Sequence, residues 1–244
     1  MSVRATQLIR RETDDAVAAE LHDGLRCVDL QLIERSWASE RARIMAELSR
    51  KGVARLSWPE SLHWDWSRKA PELALLATRG IGIFCEQDWQ GAMMTRTVGH
   101  YSRLDDDSGK PLVYIDFLEA APWNWPIAPI NQQRRFKGVG VTLMREAVKQ
   151  SVGEGFHGRV GLHALPQAER FYREVCGMTA FEPGPGGGPL VYFEFARAQA
   201  KRFLGGDARK DLRGGTRGRP RGNPRGNPRE NPRENPRENA RGGS

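Results

Sequence analysis

Apolar positions along the first fifty residues follow two spacings. Thr13 and Asp14 precede a run to about Leu21 that reads as a short capped helix stopped near Gly24. The next segment alternates like a strand at "CVDLQLIE", while Leu30, Ile33, Trp37, Ile44, Met45 and Leu48 fall on one helical face. The longer pattern favours a helix ending at Gly52. "SWPESLHWDWSRKAPEL", broken by Pro59 and Pro71, reads as an irregular segment lying on the domain. The pattern then turns to strands. "GIGIFCE" and "GAMMTRTVG" flank "QDWQ" as a hairpin, and "PLVYIDFLEA" is the strongest strand in the chain. Gly140, Leu143, Met144, Ala147, Val148 and Ser151 define a helix stopped at Gly153 and Gly155. "GRVGLHAL" is a short strand, and Ala168, Phe171, Tyr172 and Val175 mark a second helix closed by Gly177. "MTAFEP" and "LVYFEFA" form a last strand pair. Hairpin strands followed by crossover units predict an α/β fold with a mixed sheet.

The chain's 244 residues suffice for a sizeable core. The tail, residues 205–244, has a different composition: eleven Lys or Arg stand against five Asp or Glu, so it carries six of the eight net positive charges. The folded part is therefore close to neutral, and the basic balance does not make it a nucleic-acid binder. "RGNPRGNPRENPRENPREN" repeats every four residues with proline and no apolar side chain. Disorder is expected there, with at most weak, sequence-blind contact to nucleic acid. Cys27, Cys85 and Cys176 are few and widely spaced, without a CxxC pair, and read as thiols in a reducing compartment. No signal-peptide core or run of about 18 apolar residues occurs, so the expectation is a cytoplasmic protein without a membrane partner.

The chemistry concentrates in "RRFKGVGVTLM", residues 134–144. A strand, a loop and a helix whose first turn is glycine-rich expose backbone N–H groups at the positive end of a helix dipole, which suits a phosphate anion. Gly138 and Gly140 permit close approach, and Arg135 and Lys137 would supply charge at the mouth. Tight helix packing explains the glycine pair almost as well. A dinucleotide G-x-G-x-x-G would need glycine where Leu143 stands, and the Gly-Lys-Ser/Thr of a P-loop is absent.

What the residues do match is R-x-x-G-x-G, Arg135 to Gly140. With it, residues 75–203 resemble the GNAT superfamily of acyl-CoA-dependent N-acetyltransferases. The resemblance implies a GNAT-like, mostly antiparallel central sheet flanked by helices. Residues 1–74 would be a helical and irregular segment packed on the domain, 75–204 the core and 205–244 the disordered tail. It further implies that Arg135, Phe136, Lys137, Gly138, Val139, Gly140 and Val141 bind the pyrophosphate of acetyl-CoA. The strand Val160–Ala164 would splay from Tyr114–Glu119 to hold the pantetheine arm against the backbone of Phe117, Leu118 and Glu119. "AERFYREVCGMTAF" matches the family's A-x-x-F-Y helix, which would set Tyr172 beside the sulfur as an acid. The segment "AAPWNWPIAPINQQRRF" is longer than the family's usual connection and obscures the acceptor side.

The reaction so implied is direct attack of an acceptor amine on the thioester. Glu119 is the first choice of base, with Asp116 and His163 behind it. Asp116 could instead pair with an Arg on a neighbouring strand, and His163 could be a hydrogen-bonded sheet residue. "HWDW" and "WNW" are either packing anchors or a lid over the acceptor. A catalytically idle acyl-CoA-binding module and a nucleic-acid-associated protein recruited by the tail are the competing functions.

Overall fold

The computed structural model describes residues 1–182, 188 and 190–206. The repeat tail expected to be disordered lies, from residue 207 onward, outside the described residues. The chain folds as one nine-stranded sheet with helices on both faces. Its strands are β1 (Ser2–Arg10), β2 (Ala16–Asp23), β3 (Thr78–Cys85), β4 (Asp88–Arg96), β5 (Val113–Ala120), β6 (Phe136–Lys137), β7 (Val160–Ala164), β8 (Thr179–Phe181) and β9 (Val191–Glu194). They lie in the order β6-β1-β2-β3-β4-β5-β7-β9-β8. Every neighbouring pair is antiparallel except β5 and β7. Thus the mixed, mostly antiparallel sheet expected from the sequence is present.

The helices are α1 (Cys27–Arg50), α2 (Trp66–Lys69), α3 (Val139–Gly153) and α4 (Arg197–Gly205). One face of the sheet packs Leu21, Ile83, Met93 and Ile115 against Val141, Leu143, Met144 and Val148 of α3 and Phe203 of α4. On the other face, Leu30, Ile33 and Trp37 of α1 pack with Trp66, Trp89, Ala92 and Met94. No described helix is long and apolar enough to cross a membrane.

The N-terminus differs from its sequence reading. Residues 13–21, expected as a helix, are a tight turn and most of β2, so residues 1–74 begin as part of the sheet itself. Asp14 adopts a left-handed conformation at φ 60, which Asp tolerates better than most residues. Its N–H donates to the Arg10 carbonyl at 3.0 Å. An isolated helix of that length is marginal. As a strand, Ala16–Asp23 finds partners on both sides, β1 and β3, and alternation places Ala19 and Leu21 in the core. Three further differences are local. Only Gln87 of "QDWQ" lies in the turn, beside Glu86, and the rest joins β4; the helix expected around Tyr172 is a π-helical turn over Phe171–Cys176; and α4 was not anticipated.

Helix α3 sits unusually close to β4. A β-carbon on Gly91 would lie 2.5 Å from Val139 Cγ1 and 3.3 Å from the Glu119 carbonyl oxygen. Gly91→Ala should therefore destabilise the protein by about 1–3 kcal/mol through overpacking, measured as a lower urea midpoint at unchanged slope. An unchanged midpoint would mean that α3 can shift freely on the sheet.

Candidate active site

Two interruptions of regular structure meet midway along β5. Its parallel pairing with β7 covers only Val113, Ile115 and the residue between them, opposite Val160, Leu162 and the residue between those. Beyond it β5 runs to Ala120 with β4 alone. On the β4 side the register shifts between Met94 and Thr95, opposite Phe117 and Ile115, which leaves Asp116 as the bulged residue. Arg96 holds that bulge through an ion pair with Asp116 at 2.6 Å. Phe117, Leu118 and Glu119, the stretch expected to face a pantetheine arm, thus lie on a strand edge that β7 has left.

The loop before α3 ends in a bare helix N-terminus. Gly138 is its N-cap at φ 91, a conformation that suits glycine. The first intrahelical bond runs from the Thr142 N–H to the Gly138 carbonyl at 2.9 Å, so the N–H groups of Val139, Gly140 and Val141 precede the helical ladder. Val139 and Val141 bury their side chains in the core. A β-carbon on Gly140 would come 3.1 Å from Phe171, so the helix start also abuts the π-helical turn that carries Tyr172.

The basic residues of the loop are placed differently from the sequence reading. Phe136 and Lys137 form β6, paired with Arg10 and Ile9 of β1, and the Phe136 ring is core. Lys137 makes an ion pair with Asp14. The Arg135 guanidinium lies 5.1 Å from the centroid of the Trp123 ring. Both cations expected at the mouth are therefore engaged with side chains of the protein, while the N–H groups at 139–141 precede the helical ladder.

Glu119 is buried, and its environment comes largely from the N-terminal half. Oε2 accepts from Trp66 Nε1 at 2.6 Å and from Arg41 at 3.3 Å. Arg41 lies closer to Glu34, with one guanidinium nitrogen 2.8 and 2.9 Å from its two oxygens. Two carboxylates thus share one guanidinium, and Glu119 has the weaker claim. Its Oε1 is buried without a hydrogen-bond partner among the described residues. Burial pushes the Glu119 carboxyl up to about 7; Arg41, the Trp66 N–H and Ser61 oppose the rise, and Glu34 adds to it.

The other sequence candidates separate cleanly. Asp116 is taken by Arg96, and His163 is exposed, with Nδ1 2.6 Å from the Tyr114 hydroxyl. Tyr172 is buried between the rings of Phe171 and Phe193, and burial raises its phenol well above the ordinary value. Trp123 and Trp125 donate their indole N–H groups to Gln90 and to the Ala120 carbonyl, which makes the inserted segment an anchor on β4 and β5. The "HWDW" segment packs on the free part of β5: Trp66 bonds Glu119, and Trp64 packs edge-on against Phe117 with centroids 5.4 Å apart. Sequence reasoning missed Arg41. Its signal was a charged residue in register with Ile33, Trp37, Ile44 and Leu48 on the apolar face of α1. No group of His, Cys, Asp and Glu suited to a metal ion occurs among the described residues.

A carboxyl that holds its proton more tightly when folded stabilises the fold fully below its unfolded value near 4.5 and loses that contribution as pH rises through about 7. Glu119→Gln removes the titration while keeping the shape. Between pH 5 and 8 the unmodified protein should lose stability relative to this variant by on the order of 3 kcal/mol, measured by urea unfolding. Parallel stability curves for the two proteins would place the Glu119 titration elsewhere.

No family model matches this chain, and no curated protein matches it. Solved structures similar to it include several GNAT-family acetyltransferases. A GCN5-related N-acetyltransferase from Ralstonia eutropha is 17% identical, covering 68% of this chain and 97% of its own, with a TM-score of 0.43. The PaiA N-acetyltransferase from Thermoplasma acidophilum, solved with coenzyme A, is 15% identical over 72% and 97% of the two chains, with a TM-score of 0.45. An aminoglycoside acetyltransferase AAC(6')-Ib, solved with coenzyme A and kanamycin, is 18% identical over 75% and 98%, again with a TM-score of 0.45.

Proposed function

We propose that this protein is an N-acetyltransferase that moves an acetyl group from acetyl-CoA to an amine by direct attack on the thioester. The observation that supports this most is the parting of β5 from β7 beside the bare N-terminus of α3. A phosphate-bearing thioester matches both: the pyrophosphate on the N–H groups at 138–141, and the pantetheine along the edge of Phe117–Glu119, whose backbone would polarise the carbonyl.

An amine with pKa near 10.4 is neutral in less than about a thousandth of molecules at pH 7, so a base near the acceptor accelerates transfer. Glu119, pushed up to about 7, with Oε1 lacking a hydrogen bond among the described residues, suits a proton acceptor at neutral pH. Tyr172, kept protonated by burial, is the proposed donor to the departing thiolate.

Mass spectrometry of small amines, aminosugars and lysine peptides incubated with acetyl-CoA tests the reading. At least one acceptor should gain an acetyl group, and a folded Gly138→Val protein should lose both transfer and calorimetric coenzyme A binding. Coenzyme A binding without transfer to any amine would indicate an idle binding module. With the acceptor in hand, Tyr172→Phe should lower kcat by roughly ten- to a few hundred-fold at unchanged coenzyme A affinity. Unaltered kcat would return Tyr172 to a packing role.

A further inference from the structure

One lysine in the covering segment is placed unlike the others. Lys51, Lys110, Lys137 and Lys149 each reach a carbonyl or carboxylate oxygen, and Lys201 is exposed on α4. Lys69 reaches none among the described residues. Its Nζ lies 3.5 Å from the centroid of Phe117 and 5.0 Å from that of Trp64, held between two aromatic rings. Phe117 belongs to the part of β5 that β7 has left. Lys69 ends α2, whose first turn is capped by Asp65 through Ser67 and Arg68 and anchored by the buried Trp66 and Ala70. The amine is thus carried on a fixed turn over the strand edge assigned to the thioester, on the side where Trp66 contacts Glu119.

We propose that Lys69 is itself an acetyl acceptor, modified in cis by an acyl-CoA thioester bound along β5. This rests on the reading above. Neutral Nζ attacks the thioester carbonyl, a C–N bond forms and the C–S bond breaks. The ammonium gives one proton to solvent to become the neutral amine; on acylation the nitrogen gives up a second, the sulfur takes up one and leaves as coenzyme A thiol, and the third stays as the amide N–H. No oxidant or further reactant is needed. The surroundings favour the reactive form: burial lowers the Lys69 ammonium below its usual value and Arg41 adds to this, against the attraction of Glu119, Glu72 and Asp65. Acetylation would also remove a cation from beside Phe117, altering how a positively charged external amine enters.

The test uses the full chain with isotopically labelled acetyl-CoA, followed by digestion and quantification of acetyl groups on each lysine over time. Lys69 should be modified at least about ten-fold faster than the other described lysines, as an oriented intramolecular reaction requires. Its rate constant should be independent of protein concentration. Lys69→Arg should abolish the fast phase, and Gly138→Val should slow Lys69 to the rate of the rest. An unmodified Lys69, one no faster than its fellows, or a rate proportional to protein concentration would overturn the proposal. Calorimetric titration with coenzyme A separates the failures. Binding with a silent Lys69 sinks this inference alone, whereas absence of binding sinks the acetyltransferase reading with it.

Discussion

The short pairing between β5 and β7 is the constraint on which the rest of the structure depends. Backbone groups of a strand seek partners, and leaving them unpaired inside a fold is costly. Here the parallel ladder ends after Ile115 and Leu162, and the bulge at Asp116, tied by Arg96, re-aims the strand immediately afterward. A bulge sharpens twist and turns side chains. Phe117 and Glu119 consequently meet the segment after α1, while Leu118 packs toward α3. The close seat of α3 over Gly91 then fixes where its free N–H groups lie.

The N-terminal third completes this opening. Arg41 from α1 and Trp66 from α2 converge on Glu119, and Glu34 takes the larger share of the guanidinium. Burial raises the Glu119 carboxyl, and the neighbouring Glu34 adds to the rise against the pull of Arg41. A buried ion pair alone contributes little to stability. Its arrangement here gives a carboxyl that titrates near neutrality at the edge where β5 is free.

Much of this was legible in the sequence, for physical reasons that can be named. The helices α1 and α3 announce themselves because each carries a long, one-sided apolar pattern, and β3, β4 and β5 because they are runs of apolar residues, β3 and β4 being buried on both faces of the sheet. The hairpin of β1 and β2 did not, because "AVAAEL" has helical composition and its strand form is set by pairing with β3, about sixty residues away. Glu119 and Gly138 could be placed from the resemblance alone. The partners of Glu119 could not, since Glu34, Arg41 and Trp66 come from distant parts of the chain and meet only through folding. The side-chain partners of Arg135 and Lys137 were hidden for the same reason. A basic residue beside a glycine-rich turn reads as free charge until the structure supplies Asp14 and Trp123 as its partners.

The central claim is that one ligand lies simultaneously on the start of α3 and on the free edge of β5. Hydrogen–deuterium exchange with and without saturating coenzyme A measures this directly, because both elements would contribute backbone amides to the ligand. Slower exchange is expected at residues 138–141 and at 117–119 together, with β1 and β2 unaffected. Unchanged exchange at both segments, or protection confined to a different surface, would contradict the account.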